Sequence, residues 1–162
     1  MPTKYPMPIQ EAIRDLLMDL VGRSVSIDKT SRLDLEEDTV GAVAEFVGDD
    51  GEVGVALIAD LALTASLGAS LTMMPATIVK ESLRKNRFEE EMLLENFDEV
   101  ANIMTRLFNT HDTPHLRKDG VYQLPGEVPE PVTTLIDKPA ARRDFAVLIE
   151  GYGDGRLTLV VR

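Results

Sequence analysis

"TVGAVAEFVGDDGEVGVALIAD", residues 39–60, is a pair of apolar runs rich in Val and Ala around the polar turn "GDDG". Asp50-Gly51 between two such runs is a strong hairpin signal, because a two-residue reversal needs backbone angles that Asp and Gly tolerate. The chain closes in the same way: "DFAVLIE" and "RLTLVVR" flank "GYGDG", residues 144–162. Two strands joined by a tight turn must be antiparallel, since parallel neighbours need a long crossover.

Outside the hairpins the hydrophobic period changes to that of a helix. Residues 8–21 carry Ile9, Ala12, Ile13, Leu16, Leu17 and Leu20 at i, i+3, i+4, i+7 spacing, with Pro8 suited to the first position and Gly22 to the stop. "SVSID" follows as a short strand. Asp60 reads as the N-cap of a helix over 61–73 that stops before Pro75. Further helices are expected over 76–85 and 88–109. Residues 110–142 hold five prolines and read as loops with short strands at 120–124 and 132–136. The expectation is one α+β domain over 1–162, an antiparallel sheet built from hairpins with long helices packed on it. "FVGDDGEVGVALI" and "LIEGYGDGRLTLVV" are loosely alike, which points to an internal pseudo-repeat.

Composition narrows the function. Apolar residues make up 44% and charged residues 28% of 162 residues, as in ordinary globular domains. Twenty-eight Asp and Glu against 17 Lys and Arg leave a net charge of −11, and no basic block offsets it, so neither nucleic acid nor an anionic membrane is expected as a partner. The absence of cysteine excludes disulfides, thiol catalysis and Cys-ligated zinc. "MPTKYPMP" lacks the apolar core of a signal peptide, and the longest apolar run falls short of the roughly 20 residues of a membrane span, so a cytoplasmic location is expected.

The helix over 88–109 carries the chemistry. At about 100° per residue, Leu93, Leu94, Phe97, Val100, Ala101, Met104, Leu107 and Phe108 share one face. Opposite lie Glu91, Glu95, Asp98, Glu99, Asn102, Arg106 and Asn109. Glu99 and Asn102, at i and i+3, point outward from a stiff scaffold. Periodicity alone favours an ordinary solvated face. Asn, however, is a poor helix former, and in mid-helix it costs a few tenths of a kcal/mol with no local gain.

Glu99-x-x-Asn102 is followed, after twenty-two residues, by Pro125. This pattern resembles the motif of the CheX/CheC-type chemotaxis phosphatases and their flagellar-switch relatives. "FVGDDGEVGVALIADLALTASLGASLTMMP" is similar to that family's strand, Gly turn, strand and Ala-rich helix, and the terminal hairpin to its closing strands. A single pair and a short chain favour the CheX type. The first helix has Glu11-Ala-Ile-Arg14 where a second pair would need Asn, so it receives no catalytic role. The resemblance implies hydrolysis of the aspartyl phosphate of a CheY-like response regulator in chemotaxis or two-component signalling. Asn102 would position water and Glu99 would pair with the regulator's lysine. Glu95 and Arg106 would touch the partner, and Pro125 would shape the neighbouring loop. No cofactor or metal of the protein's own is implied, since Mg²⁺ comes with the regulator. A homodimer formed through sheet edges is also implied. Arg106 departs from the pattern, because the family commonly has a small residue there. That leaves open an alternative, a non-catalytic adaptor that binds a regulator or motility component.

Three other features are discounted. His111 and His115 flank Asp112 in "HDTPH", but Pro114 breaks the helix that would align the two rings for a metal. "GYGDG" precedes a strand rather than a helix, so it is a hairpin turn and not a phosphate cradle. Met73-Met74 ends an apolar helix and is expected to fill core.

Overall fold

The computed structural model describes residues 4–110 and 112–162. The described chain runs α1 (Gln10–Val21), β1 (Val25–Lys29), β2 (Gly41–Gly48), β3 (Val53–Asp60), α2 (Leu61–Leu71), α3 (Thr77–Lys85), α4 (Glu91–Met104), β4 (Leu116–Leu124), α5 (Glu130–Asp137), β5 (Ala141–Ile149) and β6 (Gly153–Val161). Six strands form a single sheet in the order β1-β5-β6-β3-β2-β4, and every pairing is antiparallel.

That order reads the same when β1, β2, β3 are exchanged for β4, β5, β6. The hairpins β2–β3 and β5–β6 join through β3–β6, and each half sends its remaining strand to the other half's hairpin. A helix precedes that strand in both cases, α1 before β1 and α4 before β4. The pseudo-repeat expected from the two similar hairpins is therefore present in the topology.

Strands β2 and β3 are buried along nearly their whole length. Both faces of the sheet centre are covered, so these strands are continuous apolar runs instead of alternating ones. On one face Phe46, Leu57, Leu159 and Phe145 pack with Ile13, Leu17, Leu63, Phe97 and Phe108 from the helical layer. On the other, Val43, Ile58 and Val160 meet Val132 and Leu135 of α5.

The helix starts follow local chemistry. Asp60 is in extended conformation and its Oδ1 accepts from the Leu63 N–H at 2.9 Å and the Arg156 N–H at 3.0 Å, which caps α2 as expected. Burial pushes the Asp60 carboxyl above its ordinary value, against the pull of those two N–H groups. Helix α1 begins at Gln10 behind an extended Ile9, so Pro8 lies outside it. Gly22 closes α1 at φ 67°, a left-handed turn that glycine makes without strain.

Two expectations are corrected. Residues 132–136 are helical, within α5, and not a strand. Pro129 and Pro131 preset helical entry, and the buried Val132 and Leu135 are three apart, a helical spacing. The long helix ends earlier than 109: after Met104 the chain tightens into a 3-10 turn over Thr105–Leu107, where the Thr105 hydroxyl donates to the Asn102 carbonyl at 2.6 Å.

Candidate functional site

Helix α4 buries Leu93, Phe97, Val100, Ala101 and Met104 against the sheet and α2. Its position is fixed on both flanks. Towards α2, the Asn96 Nδ2 donates to the Gly68 carbonyl at 2.8 Å and to Thr72 Oγ1 at 3.0 Å. The first of these bonds satisfies a carbonyl in the last turn of α2, where the helix itself leaves C=O groups without donors. The two helices come this close because residue 68 is glycine: a Cβ there would lie 2.3 Å from the Leu93 carbonyl oxygen. Towards β4, Lys118 forms an ion pair and hydrogen bond with Asp98.

Between the two tethers, Glu95, Glu99 and Asn102 are exposed, with Arg106 exposed in the 3-10 turn beyond them. Their spacing of four, three and four residues makes one stripe along the helix. Among the described residues, none of these four side chains donates or accepts a hydrogen bond or joins an ion pair, whereas Asn96 and Asp98 on the same helix are engaged. Roughly 5–6 Å separates the Cβ atoms of an i, i+3 pair, so Glu99 and Asn102 can address one small group together. A carboxylate accepts only, while a carboxamide both accepts and donates. The pair thus offers one anchor for a cation and one group able to orient a water molecule.

Pro125 is not part of this stripe. It follows β4, after a cis Leu124–Pro125 peptide, among Leu33, Leu35, Val128 and Ile136 on the α5 side of the sheet. Six residues of extended chain, roughly 20 Å, separate it from Lys118, where β4 meets Asp98. His115 is exposed in the loop before β4, and His111 lies outside the described residues. "GYGDG" is the β5–β6 turn, with left-handed Gly151 and Gly153. Met73 corrects the core expectation. Helix α2 ends at Leu71, the chain turns left-handed at Met73, and that side chain is 79% exposed while Met74 packs inward.

The sequence reasoning missed Asn96 and the Lys118–Asp98 tether. A signal for Asn96 existed, because the argument that a mid-helix Asn needs a reason applies to it as well. Its reason lies within the chain, in the bonds to Gly68 and Thr72, whereas the Asn102 side chain has no hydrogen-bond partner among the described residues.

No protein-family model matches the chain, and no curated protein matches it in sequence; its likeness to known proteins lies in the fold. Thermotoga maritima FliY superposes with a TM-score of 0.61 at 19% identity, over 91% of this chain and 81% of that one. A CheC-like superfamily protein from Shewanella sp. PV-4 gives 0.53 at 12% identity over 100% and 99%. CheX in the CheX–CheY–BeF₃–Mg²⁺ complex from Borrelia burgdorferi gives 0.50 at 11% identity over 94% of each chain. The chain has the CheC-like α+β fold. It shares that fold with CheX, FliY and FliM proteins. Among the described residues, no helix is long and apolar enough to cross a membrane.

Proposed function

We propose that the protein docks the Glu99–Asn102 face of α4 on a phosphorylated CheY-like response regulator and hydrolyses its aspartyl phosphate. The observation that carries this reading is the pair itself: a carboxylate and a carboxamide exposed together, unpaired among the described residues, on a helix tethered on both flanks. The resemblance in motif and the CheC-like fold agree with it.

The chemistry asks little of the protein. An aspartyl phosphate reacts when water attacks phosphorus in line with the bond to the carboxylate oxygen. The P–O bond breaks, the regulator's carboxylate leaves with the electron pair, and inorganic phosphate is released. Catalysis is mostly positioning. The Asn102 Oδ1 accepts a hydrogen bond from the attacking water and fixes its lone pair towards phosphorus, while Nδ2 donates to a phosphoryl oxygen. A carboxylate in its place would add negative charge where charge is already developing. Glu99 binds the regulator's lysine by a charge-assisted hydrogen bond and sets the register. The Mg²⁺ that supports this chemistry is held by the regulator. The protein belongs in this reading to chemotaxis or two-component signalling, works in the cytoplasm and acts as a homodimer.

A CheY-type receiver domain phosphorylated with acetyl phosphate and Mg²⁺ tests this. Added protein should accelerate phosphate release, and Asn102→Ala should lower that rate by roughly 100-fold, the scale of a lost positioning contact, with little effect on affinity. Release that is equally fast with Asn102→Ala refutes the reading.

Arg106 favours a second one. It is exposed one turn beyond Asn102 on the same stripe. There it would meet whatever docks, so an adaptor that binds a regulator or motility component without hydrolysing it accounts for its presence. Binding without acceleration is the mark of that function.

A further inference from the structure

Glu45 is a charged residue in an apolar place. It lies in the middle of β2, only 6% exposed, between Val43 and Val47, which pack with Val132 and Leu135 of α5. Burying a carboxylate is unfavourable unless hydrogen bonds and a counter-charge compensate. The Tyr122 hydroxyl donates to its Oε1 at 2.6 Å. Its Oε2 accepts from nothing among the described residues, yet it is not sealed from solvent. Nor does any Lys, Arg or His among those residues form an ion pair with Glu45.

The strand beside it is shaped around this carboxylate. In the β2–β4 pairing Glu45 faces Gly120 and Phe46 faces Lys118, which leaves Asp119 as the extra residue of a bulge. A Cβ at Gly120 would lie 2.5 Å from the Tyr122 hydroxyl. Glycine there lets Tyr122 fold back across its own strand to reach Glu45. Bulges re-aim side chains, and this one brings Asp119 to the same cavity as Glu45.

That cavity holds about 620 Å³, a volume suited to a small ligand, and is bounded by β2, the turn before β3, β4 and α5. Glu45 shares its wall with Val47, Val53 and Leu135, and the exposed Glu52, Asp119 and Glu130 border it. Two cations border it as well. Arg162 is engaged by Asp50 and Glu52, and the exposed Lys138 joins no ion pair among the described residues. Four carboxylates against those two cations leave the site anionic. The carboxylates do not converge as metal ligands: among the described residues no three His, Asp or Glu side chains are placed to hold a metal ion. An apolar wall that ends in a buried carboxylate suits a cation carried on a hydrocarbon stem.

We propose that this cavity binds a small aliphatic primary amine. The ammonium group donates to Glu45 Oε2, and the stem lies against Val47, Val53 and Leu135. The amine supplies the counter-charge that the chain withholds, and the anionic border draws cations towards it. The site lies on the face of the sheet opposite α4, so it does not depend on the function inferred above.

n-Butylamine titrated into the full chain tests this, at about 0.15 M salt to screen surface attraction, with n-butanol as the neutral control. Calorimetry reads Kd and a thermal melt reads Tm. The amine should bind saturably at one site and raise Tm, and n-butanol should do neither at the same concentrations. Glu45→Gln keeps the shape of the side chain and should weaken amine binding at least tenfold, the scale of a charge-assisted hydrogen bond. Asp119→Asn alters an exposed residue and should weaken it roughly threefold. Binding that Glu45→Gln leaves unchanged is attraction to the acidic surface and overturns the proposal, as does a lack of saturable binding to the parent. Should Glu45→Gln not fold, an unchanged Kd in Asp119→Asn decides against it. Lys138→Ala addresses the other occupant: if it lowers Tm and opens an amine site that the parent lacks, Lys138 itself neutralises Glu45 and the proposal falls.

Discussion

Gly68→Ala sets two effects against each other, and the structure decides which is larger. In an isolated helix the change stabilises by about 1 kcal/mol, through propensity. Here the new Cβ would lie 2.3 Å from the Leu93 carbonyl oxygen and 3.0 Å from that residue's carbonyl carbon and Cα. An ordinary carbon–oxygen contact is about 3.3 Å, so α2 and α4 must separate by about 1 Å. All three atoms belong to backbone, and no side chain can swing aside. Overpacking of this kind costs about 1–3 kcal/mol. Separation also stretches the 2.8 Å bond from Asn96 to the Gly68 carbonyl, worth about 1 kcal/mol net. The balance is a loss of about 2 kcal/mol. At about 2–4 °C per kcal/mol for a domain of this size, Tm should fall by about 4–8 °C, measured by calorimetry. The same displacement moves Glu99 and Asn102, so in the proposed reaction phosphate release should drop by more than the loss of folded protein accounts for. A Tm equal to or above that of the parent would refute the reasoning, because propensity would then have outweighed a contact the structure makes unavoidable.

Two further outcomes follow from particular side chains. Arg106→Gly should raise kcat/KM for phosphate release severalfold if the guanidinium obstructs a docked regulator; an unchanged or lower value assigns Arg106 a binding contact and removes the steric explanation. Tyr122 donates to the Oε1 of the buried Glu45 at 2.6 Å, and this bond, reinforced by burial, raises the phenol from 10.0 to about 12. Between those two values the folded chain keeps a proton that the unfolded chain has lost, so stability falls as pH rises through that window. In Tyr122→Phe the urea midpoint should decline less between pH 10 and pH 12, while at pH 7 the unpaired Glu45 should cost about 1–3 kcal/mol; an alkaline slope identical to the parent's would count against the bond.

Much of the architecture was legible because it is written locally. Asp50-Gly51 and the glycines of 151–155 specify reversals within four residues, and the apolar runs beside them can form only antiparallel strands. Helix α4 and its wet stripe follow from a 3.6-residue period, and the cap at Asp60 from one side chain. Residues 132–136 read as a short strand because the five prolines around them break up longer elements, although Val132 and Leu135 already stand at helical spacing. The likeness of the two hairpins hinted at a repeat.

What no local rule reaches is which distant segments meet. The crossing of β1 to β5 and of β4 to β2, the glycine that lets α2 touch α4, and the separate placement of Pro125 all depend on contacts between residues far apart in sequence. So does the difference between Asn96 and Asn102. Both are equally poor helix formers, six residues apart on one helix; only the neighbouring end of α2 makes the first a structural tether and leaves the second free. Met73 was assigned to the core on composition, and a single left-handed turn put it in solvent. Periodicity and turn chemistry act over a few residues, so the elements and the chemical identity of the pair could be read from the chain order. Which polar side chains remained unused depends on what the rest of the chain brings alongside, and that emerges with the packed fold.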